Sequence, residues 1–180
     1  MGPAIETDGG AVEDALAIYP LAFPDEELRP LVRALVATGE TLSLVIRDEG
    51  SADDGGTGDS VGHALFTRVR ASDGGRGALL GPLAVRPDRA RRGIGTRLVR
   101  DGLARLKAEG VRQVFVLGDP LLYGRFGFGR GDRVLPPYAL PPEWAGAWQS
   151  LMLGGVPLPP GPITLPAPWM ERSLWVPPGQ

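Results

Sequence analysis

The chain has 180 residues, 43% of them hydrophobic, with a net charge of -2 and no cysteine. That length fits one domain of ordinary size with a sizeable core. The composition excludes disulfides, thiolate metal sites and a cysteine nucleophile. The single histidine, His63, excludes a multi-histidine metal site and confines any Ser-His-Asp triad to that residue. The slight negative charge argues against nonspecific nucleic-acid binding. No apolar run approaches the roughly 20 residues of a membrane span, and the stretch from Met1 to Glu6 has neither a basic nor an apolar signal region. The expectation is a soluble, cytoplasmic protein without a membrane partner.

Residues from Ala11 to Phe23 are apolar at roughly helical spacing after Asp8-Gly9-Gly10. Asp25-Glu26-Glu27 opens a second predicted helix that runs to about Ala37, its acids suiting the helix dipole, and Gly39 stands where a terminator belongs. Thr41 to Arg47 reads as a strand, Asp48 to Ser60 as an acidic, glycine-rich turn, and Val61 to Arg70 as the partner strand. After a turn over Ala71 to Gly77, Ala78 to Val85 is a strand of mostly small and aliphatic residues, stopped by Pro87. Gly95 to Ala108 is amphipathic and helical, with Gly110 ending it. Val111 to Leu117 is a short buried strand broken by Gly118-Asp119-Pro120, and Leu121 to Phe126 is a short helix closed by Gly127. The order predicts a mixed α/β layer with a strand-helix-strand crossover at its centre.

From Pro136 the texture changes. Twelve of the 19 prolines and all four tryptophans lie between there and Gln180. A disordered linker rarely carries Trp144, Trp148, Trp169 and Trp175, so the reading is an irregular segment packed on the rest, with Leu174-Trp175-Val176 as a candidate last strand. Residues 1–180 are therefore expected to form a single domain, with a core over about 1–135 and a Pro/Trp-rich segment over about 136–180.

Between Val85 and Leu98 a buried strand ends and a glycine-bearing turn opens a helix. Helix N-termini present free N–H groups and a partial positive charge, which bind anions. Gly93 and Gly95 let the backbone approach a phosphate, Arg91 and Arg92 add mobile charge, and Thr96 adds a hydroxyl. A dinucleotide fingerprint is incomplete, because Leu98 stands where a third glycine belongs and no acid follows at the ribose distance. A P-loop fails too, because Lys107 is far from any such turn. The pyrophosphate of coenzyme A is the remaining common fit, and a plain tight turn before a helix is the alternative.

The run Leu83-Ala84-Val85-Arg86-Pro87 followed by Arg91-Arg92-Gly93-Ile94-Gly95-Thr96-Arg97-Leu98-Val99 resembles the GNAT superfamily of N-acetyltransferases. The run from Gly118 to Phe128, Gly-Asp-Pro-Leu-Leu-Tyr-Gly-Arg-Phe-Gly-Phe, is similar to the YhbS-like bacterial members. Ala90 departs from the family, which carries Gln or Arg three residues before the first glycine; Arg91 or Arg92 stands in as a source of charge. The resemblance implies a mixed, mostly antiparallel sheet flanked by helices, with a central strand-helix-strand unit that binds acyl-CoA. It implies acetyl-CoA as cosubstrate, no metal, and direct attack of a primary amine of a small molecule or peptide on the thioester. Leu83, Ala84 and Val85 would bond the pantetheine arm, Ile94 and the rest of Arg91–Thr96 the pyrophosphate, and Tyr123 would contact the cofactor and protonate the departing sulfur. An N–H near Val85 would stabilise the oxyanion.

The base is left open. Asp119 reads as a turn residue before proline, His63 as a structural strand histidine, and Glu26 and Glu40 as solvated or helix-end charges. Phe126 and Phe128 read as core. Trp144 and Trp148, four apart, would share a helix face if that segment were helical, and packing is their expected role. A non-catalytic acyl-CoA-binding regulatory module is the alternative function, and a scaffold using the aromatic tail a third. Assembly is open, with a homodimer one option because many relatives dimerise.

Overall fold

The computed structural model describes residues 5–6, 9–48, 58–131 and 133–176. In chain order the elements are β1 (Ile5–Glu6), α1 (Gly9–Ala15), α2 (Tyr19–Ala22), α3 (Arg29–Ala37), β2 (Thr41–Arg47), β3 (Ser60–Arg70), β4 (Arg76–Val85), α4 (Ile94–Ala108), β5 (Gln113–Leu117), α5 (Pro120–Tyr123), β6 (Gly129–Arg130), β7 (Val134–Leu135), β8 (Trp148–Met152) and β9 (Gly161–Pro162). Short 3-10 turns join several of them. A seven-stranded mixed sheet runs in the order β1-β2-β3-β4-β5-β8-β6, and β7 pairs with β9 separately. The β4–β5 pair is parallel, whereas β1–β2, β5–β8 and β6–β8 are antiparallel. The chain forms two compact units, Met1–Phe66 with Pro82–Gly102, and Thr67–Gly81 with Leu103–Gln180.

In the first unit, alternation along β3 sends successive side chains to opposite faces. His63 meets Tyr19 at the start of α2. Its neighbour Gly62 faces α4, where an added Cβ would stand 2.4 Å from the Ile94 Cγ2 and 3.0 Å from the Leu98 Cδ1. A Cβ on Gly102 would likewise stand 2.2 Å from the Phe66 Cε2. Glycine on the strand opposite Ile94, and on the helix opposite Phe66, lets α4 lie close against β3 and fixes where the helix begins. Leu98, Leu44, Ile46, Leu35 and Phe66 are fully buried in this unit.

The second helix begins later than the acids suggest. Residues 24–28 are not helical, and α3 starts at Arg29 with Pro30 in its first turn. Proline suits that position because its missing N–H would lack a partner there anyway. Glu27 instead pairs with the Arg29 guanidinium just outside the helix. Of the acidic turn expected after Arg47, residues 49–57 lie outside the described residues.

In the second unit, β4 and β5 pair from Gly77 with Gln113 to Leu80 with Val116. The next residue, Gly81, has φ +153, a conformation L side chains rarely adopt, and Pro82 follows without an N–H. The expected irregular tail supplies a strand instead: β8 pairs with β5 along its whole length, Trp148 opposite Leu117 and Met152 opposite Gln113. Trp148 stacks on Phe115 with centroids 5.5 Å apart and planes 9° apart, and Trp175 meets both Trp148 and Trp169 edge to face at 6.0 Å. Each buried indole N–H finds an acceptor: Trp148 the Val134 carbonyl, Trp169 the Thr67 hydroxyl, Trp175 the Trp169 carbonyl. Ring pairs of this kind contribute about 0.5–1.5 kcal/mol each beyond burial. Trp144 ends a 3-10 turn while Trp148 opens a strand, so the two share no helix face. Arg172–Leu174 is a 3-10 turn rather than part of a last strand.

Candidate active site

The strand-to-helix turn carries an unusual number of uncommitted donors. Beyond Val85 the chain makes a 3-10 turn, Pro87–Arg89, whose end is closed by the Ala90 N–H on the Pro87 carbonyl. The next amide with a backbone acceptor is that of Arg97, which bonds the Gly93 carbonyl at 2.9 Å. The six amides from Arg91 to Thr96 have no hydrogen-bond partner among the described residues. Arg91 at φ 62 and Gly93 at φ 78 both lie in the left-handed region. Glycine takes that conformation freely, whereas arginine does so at a cost of roughly 1–2 kcal/mol. Backbone turned this way gathers N–H groups into a concavity for anions, and the macrodipole of the 15-residue α4 adds positive potential at the same place.

The guanidiniums divide into two sets. Arg86 pairs with Asp88 at 2.9 Å, and Arg89 with Asp48 at 2.6 Å. Arg91 and Arg92 are exposed and make no ion pair among the described residues. Ala90 is exposed as well. The charge available to an incoming anion therefore comes from the two residues after Ala90. Thr96 is half-buried in the first turn of α4. Before the turn, Ala84 is 1% exposed while Leu83 and Val85 are half-buried. The β4–β5 register stops at Leu80, so the stretch holding Leu83, Ala84 and Val85 has no ladder partner on β5. Strand edges of that kind offer main-chain groups to an extended ligand.

In the second unit, Asp119 caps α5: its Oδ1 accepts from the Leu121 N–H at 2.8 Å, and its carbonyl accepts from the Tyr123 N–H at 3.0 Å. This engaged carboxylate is a helix cap. Tyr123 is 8% exposed, and burial pushes its phenol up to about 12. Its ring meets Phe128 edge to face at 5.9 Å and Phe126 at 6.5 Å. No hydrogen bond among the described residues engages its hydroxyl.

His63 is unavailable as a base. It is fully buried, Nδ1 lies 2.6 Å from the Tyr19 Oη and Nε2 lies 2.8 Å from the Ser43 Oγ. Desolvation lowers its pKa to about 4, which keeps the ring neutral. One ring nitrogen donates and the other accepts, so both hydroxyls are satisfied by a neutral imidazole. Glu40 and Glu26 are exposed.

A cavity of about 590 Å³ opens in the first unit beside α1, lined by Glu13, Asp14, Arg47, Asp59 and Arg86 above Ile18. Each of its carboxylates is paired: Glu13 with Arg33 at 3.1 Å, Asp14 with Arg47 at 2.7 Å, and Asp59 with Arg86 at 3.3 Å. Among the described residues no cluster of three or more His, Cys, Asp or Glu side chains could hold a metal ion, and no helix is long and apolar enough to cross a membrane.

Two buried amides of the sheet carry no mark in the sequence pattern. Gln149 is 2% exposed and donates to the Gly118 carbonyl at 3.0 Å. Gln113 is 7% exposed and joins the Ser150 hydroxyl to the Leu158 amide. Both are buried amides in a sheet, and their reason becomes visible only with their partners.

The family model described as "Acetyltransferase (GNAT) family" matches residues 11–128. The chain is 35% identical over 161 residues to the uncharacterized N-acetyltransferase YjhQ of Escherichia coli strain K12, covering 84% of each. It is 35% identical over 114 residues to the uncharacterized N-acetyltransferase YhbS of the same strain, covering 62% of this chain and 64% of YhbS. Among solved structures, YhbS from Escherichia coli in complex with CoA superposes with a TM-score of 0.79 at 24% identity, over 94% of this chain and 92% of that one. A GNAT family acetyltransferase from Brucella melitensis in complex with acetyl-CoA gives a TM-score of 0.69 at 29% identity, over 92% and 97%. The mixed, mostly antiparallel sheet with flanking helices, the strand-turn-helix unit and these matches agree, and the chain belongs to the GNAT family of acetyltransferases.

Proposed function

We propose that this chain transfers the acetyl group of acetyl-CoA to a primary amine, with residues 1–180 acting as one catalytic domain in the cytoplasm. The observation that carries the reading is the run of six amides from Arg91 to Thr96 without a partner among the described residues, beside two guanidiniums equally unpaired among them. A pyrophosphate needs such a set of donors, and the neighbours that hold CoA and acetyl-CoA share the fold. Acetyl-CoA, when bound, supplies an acyl group activated as a thioester.

The residues of the chain then divide the work. Amides of Arg91–Thr96 take the phosphate charge, and Gly93, with nothing within 4 Å of a Cβ position, leaves room for close approach. Main-chain groups of Leu83, Ala84 and Val85 align the arm, and an N–H near Val85 stabilises the negative oxygen that develops on attack. As the C–N bond forms and the C–S bond breaks, the nitrogen loses one proton and the sulfur gains one. Tyr123 stays protonated throughout the working pH range because burial pushes it to about 12. Full transfer to a thiolate of proton affinity near that of cysteine (about 8.5) runs uphill. Its contribution is therefore a hydrogen bond to sulfur as charge develops.

The test is thiol release from acetyl-CoA across a panel of amines, peptides and polyamines. Turnover with at least one amine is expected, and Tyr123→Phe should lower it by about tenfold or more while coenzyme A still binds. Binding of acetyl-CoA without turnover on any acceptor would favour the regulatory module, and no thermal shift with either nucleotide would favour a scaffold.

A further inference from the structure

We propose that Gly118 and Gln149 form a seat that fixes the Tyr123 ring, making both positioning residues for the hydroxyl that donates a hydrogen bond to the sulfur; the inference rests on the role of Tyr123 given above. Gly118 is absent from the glycines with positive φ, so turn geometry does not require glycine there. Space does. A Cβ at this position would stand 2.3 Å from the Tyr123 Cε2 and 2.9 Å from its Cδ2. The ring rests directly on the backbone at the end of β5, and any side chain at 118 would push it off.

The seat is itself anchored from β8. The Gly118 N–H donates to the Ala147 carbonyl at 2.9 Å, and its carbonyl accepts from the Gln149 Nε2 at 3.0 Å. Gln149 stands opposite Val116 on β5 and Arg130 on β6, so its position is set by ladders on both sides. Phe128 closes the other side of the ring, edge to face. Tyr123 is thus held through its ring, by shape, and its hydroxyl is left uncommitted. That is what a donor needs if its one hydrogen bond is to go to the reacting atom.

The measurements are kcat and the KM for acetyl-CoA in Gly118→Ala, Gln149→Met, Tyr123→Phe and the double variant Gly118→Ala/Tyr123→Phe. Relieving a 2.3 Å contact moves the ring by roughly 1 Å, and a misplacement of that size can cost on the order of 100-fold. The expected result is a kcat fall of tenfold or more in Gly118→Ala with KM within about threefold, a smaller fall in Gln149→Met, and a double variant no slower than Tyr123→Phe alone. Wild-type kcat in Gly118→Ala, or losses that multiply in the double variant, would overturn the seat. If Gly118→Ala does not fold, an unchanged kcat in folded Gln149→Met overturns it instead. Wild-type kcat in Tyr123→Phe would sink the role of Tyr123 itself, which is a separate failure.

Discussion

Replacing His63 by glutamine separates a structural histidine from a catalytic base, and pH sets the size of the effect. His63 is the only histidine. In the folded chain its pKa is lowered by desolvation to about 4, against 6.5 for the free side chain. Between those values the unfolded chain binds a proton that the folded chain refuses, so stability falls as pH falls. The stabilisation is fully present above about pH 6.5 and is lost as pH approaches 4. At about 1.4 kcal/mol per pKa unit the whole loss is about 3 kcal/mol, of which about 2 kcal/mol has gone by pH 5.

Among the described residues other groups scarcely interfere in that window. Asp73, Asp88 and Glu109 are held below the ordinary carboxylate range by hydrogen bonds from Arg112, Arg86 and Arg68. Their contribution is present above about pH 4 and is lost only below it. Urea unfolding at pH 7.5 and pH 5.0 therefore reads His63 almost alone. The wild type should lose about 2 kcal/mol between the two. His63→Gln, whose amide can still face Tyr19 and Ser43, should show a nearly flat response and keep turnover within about threefold at pH 7.5. A wild type equally stable at both pH values would refute the buried neutral imidazole. Loss of turnover in folded His63→Gln would refute its exclusion from the chemistry.

Other substitutions probe the turn and the helix behind it. Arg91→Ala/Arg92→Ala removes two exposed charges worth about 0.5–1 kcal/mol each. Coenzyme A should then bind about tenfold more weakly at low salt, with the gap narrowing at 0.5 M salt, as calorimetry would show; an unchanged Kd would remove both residues from the site. Gly102→Ala drives a Cβ to 2.2 Å from Phe66. Overpacking of that kind costs about 1–3 kcal/mol, so the melting temperature should fall by several degrees, and an unchanged melt would show that α4 does not depend on the glycine.

How much was legible in the sequence differs by element. The turn itself was readable because its signal is local, two glycines and two arginines between a strand and a helix, while its ligand was legible only through the family resemblance of the flanking runs. Asp119 was legible as a turn residue before proline, and the structure adds that its carboxylate caps α5. Strand β8 was not, because Trp148 to Met152 lies among prolines and alternates weakly, and only pairing with β5 makes it a strand. The first turn of α3 lies later than its acids predict because Glu27, instead of opening the helix, pairs with Arg29 outside it. Gln149 and Gln113 owe their identities to neighbours 31 and 45 residues away, so spacing and composition could not mark them.

The claim on which the rest depends is that the Arg91–Thr96 amides receive the pyrophosphate. An amide-resolved NMR titration with coenzyme A tests it directly. The account predicts that the resonances of Gly93, Ile94, Gly95 and Thr96 move most, in step with saturation. Saturable binding that leaves those amides unshifted, or no binding at all, would contradict it.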